Sequence, residues 1–226
     1  MYEFLTGFMF WLSISICLIG MLVRIVLYFN GLNWQLDRVA YRAYPLQGLK
    51  GALQSIFKWL LPFGTYGWRK QPFMTVIFFG FHIGAVLVPL FLLAHNLFLK
   101  DKLGFSMFIT LNPALADVLT WTVVISAVLL ALRRIALPEV RILTTTYDYF
   151  ILFLSAAPFI TGLLSRYEFG DYSFWLTVHI LCGEALLIAI PFTKLSHIVL
   201  FFASRAQLGM DYGIKRGGMK GKGLAW

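Results

Sequence analysis

Five stretches of about twenty residues or more are almost wholly apolar in this chain: about 4–29, 72–99, 117–136, 144–164 and 173–203. A helix rises about 1.5 Å per residue, so about 20 apolar residues cover the hydrocarbon core of a bilayer. No water is present there to take backbone N–H and C=O groups, and a helix satisfies its own. With 60% hydrophobic residues and 13% charged ones over 226 positions, a soluble domain is excluded. The expected fold is all-α, an integral membrane five-helix bundle. The first run has no basic start and no small-residue cleavage site, so it reads as a retained helix and not as a signal peptide.

Charge gives the expected orientation. Segments 30–71, 133–141 and 204–226 hold 14 of the 19 Lys and Arg residues, against Lys100, Lys102 and Arg166 on the other side. Basic loops stay in the cytoplasm, which puts the N-terminus outside and the C-terminus inside a bacterial inner membrane. The net charge of +9 then belongs to one face of a membrane protein, and a nucleic-acid partner is not expected. Residues 1–203 form the membrane domain and 204–226 a basic cytoplasmic tail, whose Gly/Lys-rich end from Lys215 to Gly223 is extended unless something binds it. Within the long inner loop, Leu49, Leu53, Ile56, Phe57 and Leu60 recur at helical spacing opposite Lys50, Gln54 and Lys58. This predicts an inner helix over about 47–61, either lying on the leaflet or docked on a soluble partner.

All four histidines, His82, His95, His179 and His197, fall in the second and fifth runs, which make up about a quarter of a chain whose spans should carry few ionisable groups. With antiparallel spans, His82 and His197 lie ~15 and ~9 Å from the inner edge, and His95 and His179 ~6 and ~9 Å from the outer edge. Depth therefore pairs His82 with His197 and His95 with His179. A bare zinc ion asks for about four ligands, whereas haem brings four equatorial nitrogens and needs two axial ones. Two non-covalent b-type haems are expected, with no C-x-x-C-H attachment site present. The 18 residues from His179 to His197 equal five turns and put both on one face of a single helix; the 13 from His82 to His95 do not, and call for a kink at Pro89.

These histidines, with the H-x17-H step in span five, make the chain similar to the gamma subunit of membrane-bound nitrate reductase and its relatives, although the 13-residue step is wider than usual there. Its FKWLLPFGTYGWRKQPF, ALRRIALPEVRILTT, HILCGE, PFTKLSHIVLFF and GMDYGIKRGG stretches resemble the cytochrome b subunits of transmembrane redox complexes of sulfate-reducing bacteria. The high-molecular-weight cytochrome (Hmc) complex is the nearest of these and the Tmc complex next. The resemblance implies five spans, an external N-terminus, and two haems b on His82, His95, His179 and His197. It also implies partners: a cytoplasmic heterodisulfide reductase-like iron–sulfur subunit, other membrane subunits and a periplasmic multihaem cytochrome c, with menaquinone a further candidate.

Bis-histidine ligation leaves no open iron position, so such sites pass electrons in a respiratory chain. Lys194, one turn before His197, is a candidate partner for a haem propionate, against snorkelling to headgroups. Glu184 is either a protonated structural acid or part of a proton or quinol site. Arg24, Asp117 and Asp148 read as anchors, and Cys17 and Cys182 as packing residues. Three functions stay open: an electron-transfer subunit, a quinol- or quinone-reactive cytochrome b, and a haem-free proton-handling membrane anchor.

Overall fold

The computed structural model describes residues 2–32 and 44–215. Among them the chain is helical and without strands. Five helices are long and apolar enough to cross a membrane: α1 (Tyr2–Asn30), α4 (Pro72–Phe91), α6 (Pro113–Ala136), α8 (Thr146–Arg166) and α9 (Tyr172–Phe192, its last three residues a 3-10 turn). Between and after them run α2 (Pro45–Leu60), α3 (Tyr66–Lys70), α5 (Leu93–Leu103), α7 (Pro138–Arg141) and α10 (His197–Lys215). This is a multi-pass membrane protein. Its contacts group into two compact units, Met1–Trp11 with Val76–Leu186, and Leu12–Thr75 with Leu187–Trp226.

Two expected spans are interrupted. The run over 72–99 is broken at Leu92, whose ψ of 132° is extended, so His95 lies on α5 and not on the helix of His82. The run over 173–203 is broken at Thr193 (φ −121°, ψ −176°), and a 3-10 turn, Lys194–Ser196, leads into α10. Pro191 cannot donate a helical hydrogen bond, and Thr193 Oγ1 accepts from Leu195 N at 3.2 Å to start the next turn. His179 and His197 are therefore not on one continuous helix, and the five-turn ruler fails. The inner helix falls at Pro45–Leu60 against an expected 47–61. The expected tail begins as helix: α10 continues to Lys215, and residues 216–226 lie outside the described residues.

In the first unit, small residues let helices approach. A Cβ on Gly84 of α4 would stand 2.8 Å from the Leu119 carbonyl oxygen of α6, and one on Gly80 3.1 Å from Thr122 Cγ2. Without a hydrophobic drive between helices in lipid, such close van der Waals approach supplies association. Val88, Val123 and Phe159 of α4, α6 and α8 form the buried cluster beside this contact. Asp117 pairs with Arg166 at 3.4 Å, and Asp148 accepts from Thr145 N at 2.8 Å as part of a capping box, so both aspartates tie helix ends.

In the second unit, α2 packs on α10. The buried face of α2 is Gly48, Gly51, Ala52 and Ser55, not its apolar stripe. Gly209 of α10 sits directly on the Gly51 carbonyl, where a Cβ would be 2.7 Å from Ser55 Cβ. Arg205 lies over the Trp59 ring at 4.5 Å, and Trp59 meets Trp68 edge to face at 5.8 Å. Gly209→Val should therefore force the pair apart and cost about 1–3 kcal/mol. Thermal unfolding in detergent is the measurement, with Gly7→Ala, which meets nothing within 4 Å, expected to leave the transition nearly unmoved.

Candidate functional site

The break at Leu92 frees backbone carbonyls at the end of α4, and each is answered. Val88 O accepts from Leu92 N at 3.0 Å, Pro89 O from His95 Nδ1 at 3.0 Å, Leu90 O from Asn96 Nδ2 at 3.2 Å and Phe91 O from Leu111 N at 2.8 Å. Asn96, 2% exposed, also reaches Leu92 O and takes Met107 N on its Oδ1 at 2.7 Å. A carbonyl left bare in such surroundings costs several kcal/mol, of order 2–7. The side chains that close the break thus also fix where His95 points.

His95 meets His179 of α9. Their rings lie with centroids 5.9 Å apart and planes only 14° from parallel. That separation is within the range of an offset stack. Two imidazoles sharing one metal ion would have centres about 6 Å apart, from two metal–nitrogen bonds of about 2.0–2.1 Å plus the half-width of each ring. His179 is held by α8: its Nδ1 donates to Pro158 O at 2.8 Å, Thr161 Oγ1 lies 3.5 Å from the same nitrogen, and Gly162 leaves room for the ring. A Cβ on Gly162 would stand 3.2 Å from His179 Cε1.

The other two histidines show the same local device. His82 Nδ1 donates to Phe78 O at 2.8 Å and its ring lies 4.0 Å from that of Phe78. His197 Nδ1 donates to Lys194 O at 2.9 Å. A carbonyl can only accept, so each of the four Nδ1 atoms carries the proton, and a neutral ring then presents Nε2 as a lone pair. A histidine that ligates a metal commonly donates its other ring nitrogen to a carbonyl in this way. His82 belongs to the first unit and His197, exposed at the start of α10, to the second. Lys194, the candidate propionate partner, is exposed in the 3-10 turn just before it.

Three residues carry more than their sequence positions suggested. Asn96 closes the break beside His95. Arg24 donates its Nε to Pro191 O at 2.6 Å, taking a carbonyl freed by the break before His197, while Gly20 one turn earlier lets Pro191 pack against α1. Glu184 is 5% exposed, and neither carboxylate oxygen has a hydrogen-bond partner among the described residues. No group of three or more His, Cys, Asp and Glu side chains among the described residues is placed to hold a metal ion. Asn96 could have been suspected as a polar residue inside an apolar run; the sequence carried no signal for the Arg24 contact.

No family model matches the chain, and no solved structure matches it. A protein of Nitratidesulfovibrio vulgaris (strain Hildenborough) is 60% identical over 227 residues, an alignment covering 100% of both chains. At that identity over full length, the chain and the Nitratidesulfovibrio protein belong to one family.

Proposed function

We propose that this protein is the dihaem cytochrome b subunit of a membrane redox complex of the bacterial inner membrane. The observation that carries the reading is the His95–His179 pair, near-parallel at 5.9 Å with both Nδ1 atoms spent on carbonyls. The donor set fits haem better than a bare ion, because two imidazoles complete a haem but supply half of a zinc site. His82 and His197, paired by expected depth in the sequence, would be the second pair. When bound, haem held by these histidines would supply one-electron transfer and not oxygen or substrate chemistry. The chain's own task is to orient the imidazoles through their Nδ1–carbonyl hydrogen bonds.

Electrons would pass between a periplasmic cytochrome c or quinone and a cytoplasmic iron–sulfur subunit, the partners that the resemblance implies. The basic bias supports an external N-terminus and a cytoplasmic C-terminus. Residues 216–226, with Arg216, Lys220, Lys222 and Trp226, offer charge steering and one aromatic anchor to the iron–sulfur partner.

Glu184 favours a second reading, a quinone site within this subunit. A buried carboxyl with two unbonded oxygens is a ready proton acceptor for a quinol oxidised nearby.

Purified protein should show a reduced-minus-oxidised b-type spectrum and release about two haems per chain to acid acetone. Gly162→Val, which crowds His179 while keeping every histidine, should lower the content to about one; two haems in that variant would remove His179 as a ligand. Ending the chain at Lys215 keeps α10 whole, so both haems should remain while the iron–sulfur subunit is lost on purification. Unchanged co-purification would assign docking elsewhere. A quinone analogue should shift the haem spectrum in the native chain and not in Glu184→Gln if the second reading holds; no shift in either leaves the electron-transfer reading alone.

A further inference from the structure

The helix α2 has three faces, and only two are accounted for. Its small residues Gly48, Gly51, Ala52 and Ser55 take α10, as described above, and Lys50, Gln54 and Lys58 form a polar edge. On the remaining face Leu46, Leu49, Leu53, Phe57 and Leu60 stand 46–59% exposed among the described residues. At 100° per residue these five fall within one sector of about 80°, roughly 150° from the centre of the small-residue face. The stripe thus points almost directly away from α10. It is as exposed as side chains on the spanning helix α1, such as Leu18 at 59% and Leu22 at 61%.

Charge identifies what covers it. From Tyr44 to Lys70 there are four basic residues, Lys50, Lys58, Arg69 and Lys70, and no acidic one. The apolar surface continues past α2 through Leu61, Phe63 and Tyr66, all exposed, and α4 enters the membrane at Pro72 directly after. A helix with an apolar stripe, a lysine edge, no carboxylate and a spanning helix twelve residues downstream matches a leaflet surface, where apolar area and anionic headgroups act together.

We infer that α2 lies in the membrane interface with Leu49, Leu53 and Phe57 among the acyl chains and Lys50 and Lys58 at anionic phospholipid headgroups. Its small-residue face then holds α10 at the bilayer surface, so that the C-terminal segment emerges from a helix pair anchored in lipid. The inference does not depend on what the histidines hold.

The test uses the full-length chain in liposomes. In a background of Cys17→Ala and Cys182→Ala, Phe57→Cys, Leu53→Cys and Lys58→Cys are each labelled with an environment-sensitive fluorophore. With vesicles containing phosphatidylglycerol, brominated acyl chains should quench the labels at 53 and 57 several-fold more than the one at 58, and aqueous iodide should show the reverse order. Iodide access at 53 and 57 equal to that at 58, with no quenching by brominated lipid, would overturn the inference and give this face to a protein partner. Quenching at 53 and 57 of the same extent in pure phosphatidylcholine, and unaltered by Lys50→Gln with Lys58→Gln, would overturn the anionic-lipid assignment.

Discussion

A helix that stops inside an apolar environment leaves carbonyls with no water to receive them, and this constraint organises the rest of the molecule. The chain interrupts its helices at two places, Leu92 and Thr193. At the first, His95, Asn96 and Leu111 N take the freed oxygens; at the second, Arg24 takes Pro191 O. The breaks are affordable only because those donors are in place. Since one donor is itself a candidate ligand, satisfying the backbone and orienting the imidazole become one event. His95 spends Nδ1 on Pro89 O, and Nε2 is left for chemistry.

The spans were legible because lipid imposes a simple length and composition rule, and all five runs correspond to helices. The meeting of His95 with His179 was also within reach, because depth in a membrane converts sequence position into one coordinate. The interruptions were not. A hydropathic run has the same average whether or not its backbone turns once, and Pro89 lies three residues before the residue that breaks. The break also dissolves the difficulty of the 13-residue step, since His95 need not share a helix face with His82. For the inner helix, the apolar stripe was visible but its use was not. Periodicity marks a face as apolar without saying whether protein or lipid covers it, and the actual tertiary contact runs through glycines that a hydrophobicity pattern ignores.

Loss of the continuous fifth helix means that His179 and His197 are not set by one rod. On one straight helix, His179 and His197 would rotate and slide together, and any change in helix packing would act on both. With Thr193 extended between them, each is set by its own local bonds: His179 by Pro158 and the space at Gly162, His197 by Lys194 O within the turn that precedes α10. An alteration in α8 then reaches His179 through van der Waals contact and a hydrogen bond, with no rigid rod to carry it on to His197. If the proposed haems are held there, separately set ligands would let burial and nearby charge act on each site alone.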